Sequence, residues 1–414
     1  MATLSQDHRL LFSDRDVSLT VPEDDVQDPE LSIVIPAYNE QITIADFVDW
    51  CKQGLRAAGV NGEILIIDSS TDMTAQIALA HGARVLKTPK RGLGRAYIDA
   101  IPFIRAPYVL MGDADCTYDF RQISGFVQRF REGYQFIMGS RFKGYIEKGA
   151  MPALHRLFGT PLTTNILNFL YSTGFSDIHC GMRGITTDAL IRIELESQSW
   201  QYSSEMVLKS VCLKLRTAEV PVRFLKDREG RVSHLKRSGW LEPWRAGWIN
   251  LEAMFVYGAD FFLLRPGLAL LLIGLLITLP LTFGAVTLGG ITLSLYFSLV
   301  GLTLSAVGLQ SFYLGCIAQV IYDYSPTSKE WWLRLFPYTR TVILAAALCV
   351  TGCCLTIPLV AKYVTGGFVL PGPVGPAGHM AVTGLLLLIF GFMTFTFTLV
   401  LHAAAFKARK QAGS

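Results

Sequence analysis

The stretch Tyr108-Val109-Leu110-Met111-Gly112-Asp113-Ala114-Asp115 is an apolar run that stops at two carboxylates. A short buried strand has this composition, and the C-terminal edge of a parallel sheet is where open α/β folds hold their ligands. On a continuing strand Asp113 and Asp115 would point the same way, and after a turn both can still face one crevice. Oxygen donors placed beside a phosphate can hold Mg2+ or Mn2+ between protein and substrate. An isolated D-x-D is common and equally describes a solvated turn, so its meaning rests on what flanks it.

Upstream, residues 31–35 read as a strand closed by Pro36-Ala37-Tyr38-Asn39-Glu40. The helix after it carries Ile44, Phe47, Val48, Cys51 and Leu55 on one face. Residues 64–67 form a second strand, left through Asp68-Ser69-Ser70-Thr71-Asp72 into a helix starting near Thr74, and residues 84–86 form a third. Arg91-Gly92-Leu93-Gly94-Arg95 then opens a helix over 96–104, ahead of the strand with the aspartates. This alternation predicts a parallel sheet with right-handed crossovers. Tyr38, Asn39, Glu40, Asp68, Asp72, Arg91, Asp113 and Asp115 all fall just after a strand. Singly each reads as a turn or helix cap; together they favour a nucleotide site. Gly92-Leu93-Gly94 lacks the third glycine of a dinucleotide fingerprint, but its bare backbone would let a nucleoside or pyrophosphate approach closely.

Downstream, residues 137–142 read as a strand ending near Arg141. Residues 151–171 are apolar but interrupted by Pro161, too short to span a bilayer; they suit either an interfacial segment, with Arg156 near the headgroups, or a cover for the sheet. Ser176-Asp177-Ile178-His179-Cys180-Gly181-Met182-Arg183 lacks the ligands of a zinc site and fits a loop facing the active site. Residues 200–215 form an amphipathic helix containing Glu205, and residues 219–224 an edge strand, since Pro221 cannot donate to a ladder. A basic stretch follows with Arg228, Arg231, His234, Lys236 and Arg237, then Trp240, Trp244 and Trp248 at four-residue spacing. That pattern predicts a helix lying at a membrane surface.

The whole chain of 414 residues has 51% hydrophobic content and a mean hydropathy of +0.38, too apolar for an ordinary soluble enzyme. The excess lies after residue 261, where four spans are predicted near 263–286, 291–320, 341–364 and 380–405. Lys329, Arg334 and Arg340 lie between the second and third, and Lys407, Arg409 and Lys410 after the fourth. The positive-inside rule therefore puts the first domain, the Lys329 loop and the C-terminus in the cytosol. The acidic start has no basic-then-apolar leader, which agrees with that side. A net charge of +4 is too small to argue for nucleic acid, and the eight cysteines form no C-x-x-C pair, as expected of reduced thiols. The expected organisation is a disordered acidic segment over 1–30, an α/β domain over 31–235, an interfacial helix over 236–262, an all-α transmembrane domain of four helices over 263–405 and a basic tail over 406–414.

From residue 31 to about 235 the chain resembles the family 2 glycosyltransferases, and among them the polyprenyl-phosphate (dolichyl-phosphate type) sugar synthases. The matching pieces are Pro36-Ala37-Tyr38-Asn39-Glu40, Asp68-Ser69-Ser70-Thr71-Asp72, Gly92-Leu93-Gly94-Arg95-Ala96-Tyr97, Asp113-Ala114-Asp115, Gly139-Ser140-Arg141-Phe142, Asp177 with Gly181-Met182-Arg183, and Glu219-Val220-Pro221 followed by Arg228 and Ser233. The resemblance implies a GT-A fold with a Rossmann-like, mostly parallel sheet, a nucleotide-sugar donor and a divalent metal, Mg2+ or Mn2+. It implies that Pro36, Tyr38, Glu40 and Asp68 hold the nucleoside, with Gly92, Gly94 and Ala114 lining the donor. It places Asp113 by the ribose and phosphates and Asp115 on the metal, with Thr117 where the family often has Gln. Arg141, Arg156 and Arg228 would bind phosphate, with Ser233 and His234, the latter where the family often has Lys. A further departure is Ile67, where the family often has a second aspartate before Asp68.

The expected activity is inverting transfer of a UDP- or GDP-linked hexose to a membrane polyprenyl phosphate of undecaprenyl or dolichyl type. The lipid bilayer is then a partner, and a homo-oligomer is compatible with the sequence. Two alternatives stay open: a processive polysaccharide synthase, although no Gln-x-x-Arg-Trp string occurs, and a membrane-anchored nucleotide-sugar-binding module without turnover.

Overall fold

The computed structural model describes residues 16–171, 173–231, 248, 252, 258, 260–322, 326–369 and 375–412. The chain divides into two compact units, Met1–Tyr257 and Gly258–Ser414.

The first unit is built on an eight-stranded sheet in the order β1-β4-β3-β2-β5-β7-β6-β8. Its strands are β1 (Ser18–Thr20), β2 (Leu31–Ala37), β3 (Gly62–Asp68), β4 (Arg84–Lys87), β5 (Tyr108–Met111), β6 (Phe136–Ile146), β7 (Arg183–Thr186) and β8 (Thr217–Phe224). β2 to β5 are mutually parallel, as the strand and helix alternation predicts. Ile33, Ile35, Leu65, Ile66, Val109 and Leu110 are essentially inaccessible, the burial expected of a sheet covered on both faces. Helix α1 (Ile44–Ala58) buries Ile44, Phe47, Val48, Cys51 and Leu55, the stripe read from spacing. Helices α2 (Thr74–Ala80), α3 (Leu93–Ala100) and α4 (Ser124–Arg131) follow β3, β4 and β5. α3 ends at Ala100 and gives way to a 3-10 turn over Ile101–Phe103, where Pro102 stops it short of the expected residue 104.

Two strands depart from the sequence reading. β7 inserts antiparallel between β5 and β6, so the sheet is mixed. β1 pairs antiparallel with β4, and Asp25 forms an ion pair with Arg105 at 2.8 Å, so the segment expected to be disordered over 1–30 has structure from Asp16 onward. The physical reason is charge: Arg84 and Arg105 meet the buried Glu63, and Asp25 supplies a second carboxylate for the two guanidiniums. β8 is an edge strand, as Pro221 requires.

Chain order along the sheet reverses between β2 and β5, with β3 and β4 on one side and the later strands on the other. Such a switch point opens a crevice beyond the C-terminal ends of the strands. Glu40 leaves β2 there, and Asp113 and Asp115 leave β5 there. Helix α5 (Thr160–Tyr171) is preceded by a π-helical turn over His155–Gly159, and helices α6 (Thr187–Ile193) and α7 (Tyr202–Cys212) complete the unit.

The second unit contains four helical stretches long and apolar enough to cross a membrane, Phe261–Phe283, Leu295–Ile321, Tyr338–Thr365 and Pro376–Phe406. Gly267 and Gly274 face Gly301 and Gly308 so closely that any Cβ would meet the facing helix's atoms within 3 Å, the small-residue packing of helices in lipid. Two polar pairs are buried inside this unit: Ser298 with His379 at 3.0 Å, and Tyr313 with Thr394 at 2.9 Å. A hairpin the sequence reading did not anticipate, β9 (Val286–Leu288) and β10 (Ile291–Leu293), joins the first two spans. A short helix (Pro326–Leu335) lies between the second and third, and its Trp332 is buried against Tyr313 and Phe397. Most of the interfacial helix expected over 236–262, with Trp240 and Trp244, lies outside the described residues, as do Ser233 and His234.

Candidate active site

The turns after β2 and β3 are laced together. Asn39, at φ 54°, accepts from the Thr71 amide at 2.9 Å and donates its own amide to Ser70 Oγ at 2.7 Å. The Glu40 amide donates to Thr74 Oγ1 at 2.9 Å, fixing the entry of α1 against that of α2. Tyr38 is half-buried, and the Lys90 ammonium sits 3.5 Å from its ring centroid. Pro36 is held within β2 opposite Ile67. Asp68, expected to touch a nucleoside, is fully buried; it accepts from Lys87 Nζ at 2.5 Å and from the Ser70 amide at 3.2 Å. Lys87 stands beside it because parallel register puts the ends of β3 and β4 opposite each other. Asp68 therefore shapes the turn Ser69 to Asp72, the turn expected to meet the nucleoside.

Beyond β5, the Tyr97 hydroxyl donates to the Gly112 carbonyl at 3.1 Å and holds the start of the turn. Ala114 is buried, and Cys116 adopts φ 59° with its thiol against the Thr43 carbonyl. These contacts leave Asp113 and Asp115 facing the crevice. Burial and then the charge of Asp115 push the Asp113 carboxyl up to about 7, against the pull of Arg183 and Arg231. Asp115 is also raised, by burial first, with Arg231 and Thr117 opposing. Thr117 donates both its amide and its hydroxyl to Asp115 Oδ1, at 2.9 and 2.6 Å. Thr117 thus braces the Asp115 carboxylate through both hydrogen bonds.

Arg231, a member of the basic stretch to which phosphate binding could pass where His234 replaces the family's Lys, lies among the carboxylates. Its Nε donates to Glu40 Oε2 at 2.7 Å, and Nη1 lies 2.9 Å from Asp227 and 3.4 Å from Asp115 Oδ2. Three carboxylates from three parts of the chain converge on one guanidinium, which keeps their mutual repulsion tolerable. Arg228 is turned elsewhere, paired with Asp46 on α1 beside the Trp50 ring. The buried Arg183, whose charge also acts on Asp113, donates to the carbonyls of Cys180 and Ser203. Gly181 packs so closely there that a Cβ would lie 2.5 Å from Asp113 Oδ2, and its amide donates to the Tyr118 hydroxyl at 2.8 Å.

Arg141 and Asp177 form a buried bidentate pair, Nε to Oδ2 at 2.7 Å and Nη2 to Oδ1 at 2.8 Å. Arg141 is thus committed within the protein, and Arg156 is exposed on the turn before α5. Next to them the His179 ring meets Thr163 Oγ1 at 2.7 Å. Burial pushes His179 down to about 4, with Asp177 opposing. An unfolded histidine titrates near about 6.5, so between the two values the unfolded chain binds more protons. Stability from this site is complete above about pH 6.5 and is lost as pH falls toward about 4. The thermal midpoint of the purified protein should fall across that window, and His179→Gln should flatten the fall.

Gly92 and Gly94 lie against the chain's own backbone. A Cβ on Gly94 would lie 1.9 Å from the Ser197 carbonyl oxygen, and one on Gly92 2.2 Å from that of Gln198. Their bare backbone admits the chain's own loop over 195–199. Glu205 fastens that loop from behind, accepting from the amides of Glu196 and Ser197 at 2.9 Å, and is itself paired with Lys209. Gly94→Ala should cost about 1–3 kcal/mol by overpacking, read as a lower thermal midpoint.

Among the described residues no group of three or more His, Cys, Asp and Glu side chains forms a metal cage. A divalent ion bound through one or two carboxylates takes the rest of its shell from substrate phosphates and water. Asp115, with Asp113 raised beside it and a guanidinium already drawn to its Oδ2, fits such an ion.

A mostly parallel sheet with a carboxylate pair at its switch point is thus followed in the chain by four apolar helices long enough to cross a membrane. The chain belongs to glycosyltransferase family 2: Glycosyl transferase family 2 matches residues 32–193, and the Glycosyltransferase family 2 C-terminal transmembrane region matches 316–405. It is 32% identical over 369 residues to the low-salt glycan biosynthesis hexosyltransferase Agl6 of Haloferax volcanii, covering 88% of this chain and 85% of that protein. It is 28% identical to the dolichyl-phosphate hexose transferase of the same organism, over 53% of this chain and 89% of that one. Among solved structures it is similar to mannosyl-3-phosphoglycerate synthase from Rubrobacter xylanophilus, at 22% identity and a TM-score of 0.42 over 54% of this chain and 72% of that one.

Proposed function

We propose that this chain transfers a hexose from a nucleoside-diphosphate sugar to a polyprenyl phosphate, with inversion at the anomeric carbon. The observation that carries the reading is the carboxylate pair Asp113 and Asp115 at the switch point, whose charge Arg183 and Arg231 both offset. Its setting in a family 2 chain with a transmembrane region, similar to a dolichyl-phosphate hexose transferase, supports a lipid acceptor.

Tyr38, with Pro36, Glu40 and the Asp68 turn, receives the nucleoside; the Tyr38 ring and Lys90 offer a face and a charge to it. Asp115, with Asp113 beside it, would hold Mg2+ or Mn2+, which would supply positive charge to the departing diphosphate. Thr117 keeps the Asp115 carboxylate turned toward the crevice. Arg231, drawn to Glu40, Asp115 and Asp227, is close enough to neutralise phosphate once the donor arrives. A phosphate monoester has its second pKa near about 6, so the acceptor is already anionic at neutral pH and needs no strong general base. That economy fits a site of carboxylates and guanidiniums in which Cys116, its thiol pushed up to about 12 by burial, is unsuited to act as a nucleophile. By the positive-inside rule the catalytic unit and the C-terminus face the cytosol.

The reading is tested by following nucleoside-diphosphate release from UDP- and GDP-hexoses by the full-length protein. Release should need both a divalent ion and polyprenyl phosphate. Release that is indifferent to the lipid would overturn the acceptor, and binding without release would make the chain a binding module.

A further inference from the structure

Glu40, Asp115, Asp227 and Arg231 meet beside the aspartate turn, and the guanidinium is not shared evenly among the three carboxylates. Glu40 is fixed to the body of the unit. Its amide donates to Thr74 Oγ1 at 2.9 Å, and its Oε2 accepts from Thr43 Oγ1 at 3.1 Å. The carboxylate then takes Arg231 through two parallel contacts, Nε to Oε2 at 2.7 Å and Nη2 to Oε1 at 2.5 Å. Both side chains are nearly buried, at 10% exposure for Arg231 and 6% for Glu40. A bidentate pair of this kind fixes direction as well as distance. It leaves Nη1 to meet Asp227 at 2.9 Å and Asp115 Oδ2 at 3.4 Å.

Asp115 Oδ1 already accepts from the amide and the hydroxyl of Thr117, so Oδ2 is the oxygen more open to a cation. Arg231 Nη1 faces that same oxygen. A guanidinium and a divalent ion drawn to one carboxylate oxygen repel each other, so the grip of Arg231 on Asp115 sets how readily the ion binds. Glu40 draws the guanidinium the other way. We propose that Glu40 is a positioning residue for metal binding: by engaging Nε and Nη2 of Arg231 it keeps the guanidinium from closing on Asp115 Oδ2 and leaves that oxygen to the ion. Thr43 steadies the carboxylate in this task. The inference rests on the role proposed above for Asp115 in holding Mg2+ or Mn2+.

The test is Mn2+ binding to the full-length protein in detergent, followed by loss of the free-ion electron paramagnetic resonance signal, with Asp115→Asn as the background. Arg231→Gln removes the competing charge and should tighten binding about tenfold, the scale of one unit charge acting on a divalent ion at about 5 Å in water-like surroundings. Glu40→Gln releases the guanidinium onto Asp115 and should weaken binding by a similar factor. In the Arg231→Gln background Glu40→Gln should then change little, because Glu40 acts through the guanidinium. Glu40→Asp keeps the charge but shortens its reach, so it too should weaken binding; it carries the same comparison if Glu40→Gln does not fold. Equal weakening by Glu40→Gln with and without Arg231 overturns the proposal, since the carboxylate would then be pulling on the ion directly. So does an Arg231→Gln protein that binds Mn2+ no more tightly than wild type. In both of those cases the ion stays on Asp115. Binding that Asp115→Asn leaves unchanged would instead remove the metal from Asp115, and this inference with it.

Discussion

Replacing Asp115 with Asn is expected to lower sugar transfer to polyprenyl phosphate by about 10³-fold, the scale for removing one preorganised charge contact from a transition state. The amide keeps an oxygen for the Thr117 hydrogen bonds, and Arg231 keeps Glu40 and Asp227 as partners. The fold should therefore survive, with the thermal midpoint close to wild type. What is lost is the negative charge that attracts a cation, so Mn2+ binding followed by electron paramagnetic resonance should weaken in parallel. Full activity in this variant would remove the metal role from Asp115.

Replacing Asp177 with Ala should have the largest effect on stability. The Arg141 guanidinium would be left buried without its bidentate partner, at 9% exposure against 0% for the lost carboxylate. Breaking one side of such a pair costs about 3–5 kcal/mol. For a unit of this size that lowers the thermal midpoint by roughly 10 °C or more. Combining Asp177→Ala with Arg141→Met removes both charges and should recover part of the loss, because the uncompensated ion is the larger penalty. An Asp177→Ala protein as stable as wild type would show that Arg141 does not depend on this pair.

Much of the first unit was legible because its strands are buried on both faces and end in abrupt polar turns. The stripe Ile44, Phe47, Val48, Cys51 and Leu55 identified α1 by period alone, and Pro221 identified an edge. What could not be read were features decided between distant segments. The antiparallel entry of β7 between β5 and β6 depends on pairing that no local pattern records. Gly92 and Gly94 signalled a close approach, but only the fold identifies the loop over 195–199 as what approaches. Asp68 and Lys87 look like independent surface charges until the register of β3 and β4 sets them side by side. Arg231 lies 191 residues from Glu40, so its place among the carboxylates was beyond any motif.

The most direct measurement is the mass of the lipid product formed by the full-length protein from a nucleoside-diphosphate hexose, a short polyprenyl phosphate and Mg2+ or Mn2+. The account predicts a polyprenyl phosphate heavier by one hexose residue, absent when the divalent ion is chelated or Asp115 is Asn. A lipid carrying a growing series of sugars, or free hexose with the lipid phosphate unchanged, would contradict it.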